Sequence, residues 1–405
     1  MNAWRSRLQP LLGRHPAPFY LFSAAPLGQA RAELESAFAG APVPVRHWLS
    51  CKTQPLRPLL EWWRRLGEGI EVVSEFEFLA ARAAGYAAPD ILLNGPAKHD
   101  WLPRHPLPGL RVNFDSTAEA RALLPLAQRL GWSCGLRLHT REEHDPEHPQ
   151  FRTQFGLLPA EAAGVVRRFR RAGVPLDTLH FHLRTNIADA AVYERALIEA
   201  ATFCQETGFQ PRHLDCGGGF PPPDVWGRDG QAVAGTFSLE KIAQLQHRMK
   251  ARFPGLEEVW LENGRWLSAR SGVLVLRILD VKERDGVRHL ICNGGRTLHA
   301  LISTWERHRI FSMPDRRGPT QLTTLNGPTC MAFDQLARCQ LPHSLRAGDH
   351  LVWMEAGAYH LPWETHFSHG LAAVLWEENG RTRVVRPAQT FEQWHATLGL
   401  GAARS

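Results

Sequence analysis

Between residues 28 and 260, short apolar runs rich in β-branched and aromatic residues alternate with longer stretches in which Ala, Leu and Arg recur at helical spacing. Side chains repeat every two residues along a strand and every 3.6 along a helix, so this alternation predicts a repeating βα unit and a parallel sheet. The predicted strands are VRHWLS (45–50), EVVS (71–74), DILLNG (90–95), RVNFD (111–115), SCGLRLH (133–139), TLHFHLR (178–184), RHLDCGG (212–218) and EVWLENG (258–264). Segments 117–131 and 190–208 between them have helical spacing and end in glycine, a common helix stop. Eight such units in roughly 230 residues approach the ~250 residues of a TIM (β/α)8 barrel. An open doubly wound sheet is the other arrangement this rhythm allows.

After residue 264 the rhythm changes. GVLVLRILDVKE (272–283), VRHLICNGG (287–295), GDHLVWMEAG (348–357) and LAAVLWEENGRTRVVRP (371–387) are β-rich runs separated by turns, which predicts a mostly antiparallel β-domain. The opening run PFYLFSA (18–24) reads as a strand of the same domain. The expected α/β organisation is therefore a barrel over 28–262 and a discontinuous β-domain from 1–27 and 263–405.

Composition narrows the class. Hydrophobic residues make up 44% and charged residues 21%, as in a globular enzyme. No run reaches the ~18 apolar residues of a membrane span, and the first residues lack the apolar stretch of a signal peptide, so a cytoplasmic protein with no membrane partner is expected. Seven cysteines without paired short spacings fit a reducing compartment better than a disulfide framework or a zinc site, and no metal is expected. The net charge is +7, but the densest basic patch, RRFRRAG (167–173), has apolar residues between its charges and reads as the solvated face of a helix. No recognition motif accompanies it, so no nucleic-acid partner is expected; a bias toward anionic ligands remains.

Several short motifs carry candidate chemistry. Gly217, Gly218 and Gly219 follow a predicted strand, where backbone N–H groups can approach a phosphate with no Cβ in the way; a plain βα turn would look the same. Lys52 ends another strand, at the side of a barrel where active sites form, and a lysine with a lowered pKa there can form a Schiff base; a surface lysine is the bland alternative. His180 and His182 alternate onto one face of their strand. Glu262 closes the last strand, where a carboxylate can pair with a protonated pyridine nitrogen or simply with a neighbouring arginine such as Arg265. Cys330 lies in a Gly-Pro-Thr-Cys turn and Tyr359 in Gly-Ala-Tyr, both in the β-domain.

Taken in order along the chain, these motifs resemble the fold-type III pyridoxal-phosphate decarboxylases, the family of ornithine, diaminopimelate and arginine decarboxylases with the alanine-racemase-like fold. The resemblance runs from Pro18 to about Gly370. It implies pyridoxal 5'-phosphate as cofactor, with Lys52 as its covalent anchor and a later proton carrier. It further implies acidic residues of 71–77 lining the site, Arg137 near the ring oxygen or Glu262, and His182 stacked on the ring. Thr185, Gly217, Gly218, Gly219, Arg265 and Tyr359 would serve the phosphate and Glu262 the ring nitrogen. Cys330 would protonate the α-carbon after carbon dioxide leaves, reaching the site from the partner chain of a homodimer.

Departures from the family pattern bear on substrate. Met331 stands where amine-recognising relatives carry an acid, with Asp334 as the nearest replacement. Arg184, Arg296 and His299 fall where a carboxylate-rich substrate would meet them. These residues lead us to expect an acidic amino-acid conjugate, such as a citrate-linked diamino acid of siderophore assembly. The alternatives are a free basic amino acid (diaminopimelate, ornithine or lysine), racemisation, or a non-catalytic regulatory homologue.

Overall fold

The computed structural model describes residues 1–144, 153–299, 302 and 306–399. The chain forms two compact units, one of residues 29–222 and 233–267, the other of 1–28, 223–232 and 268–405.

Helix α1 (Asn2–Leu8) and strand β1 (Phe19–Ser23) lie in the second unit. The first unit contains strands β2 (Val45–Ser50), β3 (Gly69–Val72), β4 (Ile91–Leu93), β5 (Arg111–Phe114), β6 (Ser133–Arg137), β7 (Leu176–His180) and β8 (His213–Asp215). After an excursion carrying β9 (Val225–Gly227), strand β10 (Glu258–Leu261) completes the set. Neighbouring strands are parallel, and β10 pairs with both β8 and β2, so the sheet closes into a barrel and leaves no edge. All eight predicted strands are present, and closure excludes the open doubly wound sheet. Barrel strands are covered on both faces, which is why their sequences are apolar runs rather than alternating ones.

Packing inside the barrel needs one glycine in particular. A Cβ on Gly69 would lie 2.4 Å from the Trp48 ring, which fills the interior with Leu92 and Trp260. The Trp48 and Trp260 rings meet edge to face at 5.3 Å, and His213 stacks on Trp260 at 4.5 Å. The turns at the opposite strand ends are short because capping residues start the next helix at once. Ser74 caps α2 (Glu75–Ala83) by accepting from the N–H of Glu77, and Ser116 caps α3 (Thr117–Leu130) by accepting from the N–H of Glu119. The latter helix ends at Gly131 with φ 59°, the left-handed stop expected from sequence. In α4 (Pro159–Arg171) the apolar residues Val165, Val166 and Phe169 are buried, whereas Arg167, Arg168, Arg170 and Arg171 are exposed, the solvated face expected there.

The second unit is built on β11 (Gly272–Arg284), β12 (Val287–Cys292), β13 (Glu306–His308), β14 (Ile310–Met313), β15 (Thr320–Asn326), β16 (Gln335–Pro342), β17 (His350–Trp353), β18 (Ala373–Glu378) and β19 (Arg381–Arg386). Its main sheet runs β16-β15-β12-β11-β1-β18-β19, with β17 against β11 and β14. Pairs are antiparallel except β1 with β18 and β12 with β15. Strand β1 sits between β11 and β18, and Phe19 and Leu21 pack with Trp4, Leu8, Val273, Val275, Val352 and Leu375 in the core of this unit. The excursion 223–232, expected within the barrel region, belongs to this unit because β9 pairs antiparallel with β13. No helix among the described residues is long and apolar enough to cross a membrane.

Candidate active site

The chemistry-bearing residues of the barrel cluster at the carboxyl ends of its strands, where the backbone leaves the sheet and side chains are freed to face a common space. A cavity of about 480 Å³ there is lined by Lys52, Glu71, Asn94, Arg137, His182 and Glu262, with Arg184 and Thr185 also on its wall. Lys52 lies in the single turn Cys51–Thr53 that ends β2. Arg137 is the last residue of β6, and Glu262 follows the last residue of β10.

Glu262 is the electrostatic centre. Its carboxylate accepts a short hydrogen bond from the side-chain amide of Asn94. Nε2 of His180 lies 3.6 Å and Nδ1 of His182 3.8 Å from its oxygens; both histidines converge on it, although β7 ends at His180 and His182 comes from the loop beyond rather than from the same strand as expected. Asn94 also donates to Glu71 at 3.3 Å, and Asn113 donates to Asn94 at 2.9 Å and to Asp215 at 3.1 Å. Burial works to raise the Glu262 carboxyl, but His180, His182 and Lys52 together hold it below the usual carboxylate range. Asp215 moves the other way, pushed well above its ordinary value by burial and by the Glu262 charge. Two buried carboxyls side by side cannot both ionise, so Glu262 keeps the charge and Asp215 the proton. Burial pushes His180 down to about 3 and lowers His182 too, against the opposing pull of Glu262.

The glycine turn lies beside this group. A Cβ on Gly217 would come 2.6 Å from Nδ1 of His182, one on Gly218 would come 2.4 Å from the Glu262 carbonyl oxygen, and one on Gly219 2.3 Å from the Arg184 carbonyl oxygen. The turn can therefore meet the loops after β7 and β10 only with glycines, and it presents a surface free of Cβ atoms. The Gly218 N–H donates to Nδ1 of His182 at 3.2 Å, which assigns that ring's proton to Nε2. A lysine, a buried ionised carboxylate and a bare glycine turn are the donor set a pyridoxal phosphate needs: an amine for its aldehyde, an anion for its ring nitrogen and a cradle for its phosphate. The residues present fit that group.

Two expectations about the barrel residues change. Arg137 pairs with Glu143 through a short hydrogen bond, has Asp115 3.9 Å away and lies over the Phe155 ring at 4.8 Å. Its partner is thus Glu143 rather than Glu262. Glu77 accepts from the N–H of Val73 at 2.9 Å and acts as a helix-start clasp rather than a residue of the cavity wall. Arg265 sits on the helical turn Gly264–Ser268 just after Glu262.

The remaining candidates belong to the β-rich unit. Cys330 is exposed in the turn between β15 and β16. Tyr359, at φ 64°, has its ring 5.6 Å from that of Trp363. Arg296, Met331 and Asp334 line a second, apolar cavity of about 590 Å³ together with Phe333, Trp363 and Phe367. Asp334 is only 4% exposed. It accepts from the N–H of Arg296 at 2.7 Å and from the N–H and hydroxyl of Thr329 at 3.1 and 2.5 Å. Its carboxylate is spent on shaping the turn, so it does not replace the missing acid at Met331. His299 is 1% exposed and packed among other rings, so it presents no surface to a carboxylate-rich substrate.

Sequence reasoning missed Asn94, although a polar residue directly after the apolar run ILL meets the same strand-end rule that singled out Lys52 and Glu262. It also missed Tyr193, which lies in a helix, Ala191–Thr207, and donates a short hydrogen bond to the Gly218 carbonyl. No local signal marks that residue.

Residues 29–269 match the family model described as pyridoxal-dependent decarboxylase, pyridoxal binding domain. The chain is 30% identical over 364 residues to a diaminopimelate decarboxylase of Deinococcus radiodurans, covering 89% of each chain. It is 29% identical to one of Actinosynnema pretiosum subsp. auranticum, over 90% of this chain and 83% of that one. Its fold superposes with a TM-score of 0.82 on diaminopimelate decarboxylase from Helicobacter pylori crystallised with L-lysine, at 22% identity over 96% of this chain and 99% of that one. With the lysine, the buried carboxylate and the glycine turn in place on a closed barrel, the chain belongs to the fold-type III pyridoxal-phosphate-dependent decarboxylases and is a carboxy-lyase that uses pyridoxal 5'-phosphate.

Proposed function

We propose that this enzyme decarboxylates a free diamino acid of the diaminopimelate class, with Lys52 as cofactor anchor and Cys330 as the acid that protonates the α-carbon. The observation that carries the reading is the identity with diaminopimelate decarboxylase along 89% of the chain. Bound pyridoxal phosphate supplies the electron sink for the pair left behind by carbon dioxide. Glu262, held below the usual carboxylate range, would keep a proton at the ring nitrogen when the cofactor is bound, and His182, on the cavity wall beside it, would stack on the ring. Gly217, Gly218, Gly219, Thr185, Arg265 and Tyr359 serve the phosphate. Lys52, on the cavity wall, would hold the cofactor and could carry protons within the same cavity.

The free diamino acid is preferred to a citrate-linked conjugate for two reasons. The names of the relatives favour it, and two supports of the acidic reading fall away with the burial of His299 and the occupied carboxylate of Asp334. With Met331 in the turn, the counter-charge for a distal ammonium has to come from elsewhere; Glu71, Glu143 and Glu262 are the carboxylates on the cavity wall, of which Glu143 is already paired with Arg137 and Glu262 accepts from Asn94 and is assigned to the ring nitrogen, so Glu71 is the candidate. Carbon dioxide release from the holoenzyme should be fastest, by kcat/KM, with diaminopimelate in a panel that also holds lysine, ornithine, glutamate and a citryl diamino acid. Turnover of the citryl compound alone, or of nothing in the panel, would defeat this assignment.

The reading also has Cys330 serve the site of a second copy of the chain. Lys52→Ala and Cys330→Ala proteins, each inactive alone, should then complement one another when mixed, dissociated and reassociated. Random pairing gives half mixed dimers with one intact site each, so about a quarter of wild-type activity should return. A mixture no more active than its components would place Cys330 in its own chain's site or outside the reaction.

A further inference from the structure

Within the β-rich unit, three imidazoles pack against one another. His299 ends the short helical turn Arg296–His299, His308 ends β13 and His360 lies beyond β17. Ring centroids are 4.2 Å apart for His299 and His360, 5.4 Å for His299 and His308, and 5.3 Å for His308 and His360. One ring nitrogen from each lies within 4.8 Å of the others. His299 and His360 are 1% exposed, and the His308 side chain 2%.

Hydrogen bonds fix how two of these rings carry their protons. Nδ1 of His308 is 2.9 Å from the Met354 carbonyl oxygen, and Nδ1 of His360 is 3.0 Å from that of Ala358. A carbonyl only accepts, so both Nδ1 atoms hold the proton and both Nε2 atoms expose a lone pair. His299 is fully buried with neither ring nitrogen hydrogen-bonded, and an Oε2 of buried Glu306 lies 3.3 Å from Nε2 of His308. Both ring nitrogens of His299 and the Nε2 atom of His308 are buried without a hydrogen-bond partner, and such groups are ordinarily satisfied. A cation bound among the three rings would take one nitrogen lone pair from each. An imidazole whose other nitrogen donates to a backbone carbonyl is, besides, the usual outer support of a metal ligand.

We propose that His299, His308 and His360, with Glu306 beside them, bind a divalent transition-metal ion of the zinc type. Imidazole nitrogens select such ions over calcium and magnesium, which prefer all-oxygen shells. Tetrahedral zinc with bonds of ~2.0–2.1 Å sets its ligands ~3.4 Å apart, so nitrogens that lie within 4.8 Å of one another need to draw in by up to about 1.4 Å on binding. The ion ties together a helical turn, a strand end and a loop that are distant in sequence, so its role is to hold this unit's fold.

The test uses untagged holoenzyme, stripped with a chelator, re-equilibrated with zinc sulfate and dialysed, with metal read by plasma mass spectrometry. A second sample is reloaded with cobalt(II) and read by visible absorption. About one zinc per chain should be retained, and cobalt should give the intense bands of tetrahedral coordination. His360→Ala and, independently, His308→Gln should weaken zinc binding by about tenfold or more, while far-UV circular dichroism and cofactor absorbance stay as in the parent. Zinc well below one per chain in the parent, no cobalt bands, or equal retention by folded variants would each overturn the proposal.

Discussion

Lys52→Ala is expected to lower carbon dioxide release by about ten-thousand-fold or more, the scale of losses when a covalent catalytic group is removed. The lysine lines the cavity at the end of β2, and its charge favours the ionised forms of Glu71 and Glu262. Alanine therefore removes both a nucleophile and a counter-charge. Lys52→Arg separates the two roles, since a guanidinium keeps the charge but stays protonated and cannot attack an aldehyde. Both variants should lose turnover, and borohydride reduction of the wild-type holoenzyme should label Lys52 in a peptide map. Wild-type turnover by the arginine variant, or label on another lysine, would remove the amine at position 52 from the mechanism.

The second large effect concerns stability. Lys98 and Glu119 are each 0% exposed by side chain and form an ion pair of 2.7 Å inside the barrel unit. Glu119 also accepts from the N–H groups of Lys98 at 3.0 Å and Asp115 at 3.2 Å, and Lys98 donates to the Gly95 carbonyl at 2.6 Å. These bonds clasp the loop that carries Asn94 to the start of the helix after β5, and Asn94 is the donor to Glu262. Glu119→Ala would strand a buried ammonium, at a cost of about 3–5 kcal/mol, a large share of the ~5–15 kcal/mol that holds a typical domain folded. Removing both charges with Lys98→Met and Glu119→Gln should cost less than Glu119→Ala alone, because no unpaired charge is left inside. Urea unfolding curves measure both; equal stability of Glu119→Ala and the wild type would show the pair to be dispensable.

Much of this site was legible in the sequence because barrel geometry turns position along a strand into position in space. A residue just past an apolar run of a parallel barrel lies at its catalytic end, which made Lys52, the glycines 217–219 and Glu262 candidates, while the family resemblance supplied their expected roles. The same rule covered Asn94 but was not carried to it. Tyr193 reaches Gly218 from a helix surface, and the Arg137–Glu143 pair forms across a loop; neither has a periodicity to betray it. Asp334 and His299 failed as substrate contacts for a related reason. Their residue types suit an exposed binding role, but whether a polar side chain faces a ligand or is consumed within a turn depends on neighbours the local string does not name.

The sequence by itself determined the eight barrel strands and the β-rich character of the rest, since hydrophobic period is a local property of the chain. Only the tertiary structure decided which carboxyl holds the charge, because Glu262 and Asp215 differ in the histidines and amides brought round them rather than in their own chemistry. It alone also gathered His299, His308 and His360, whose meeting depends on β13 and the segments around it folding onto one another, a long-range event that no local pattern encodes.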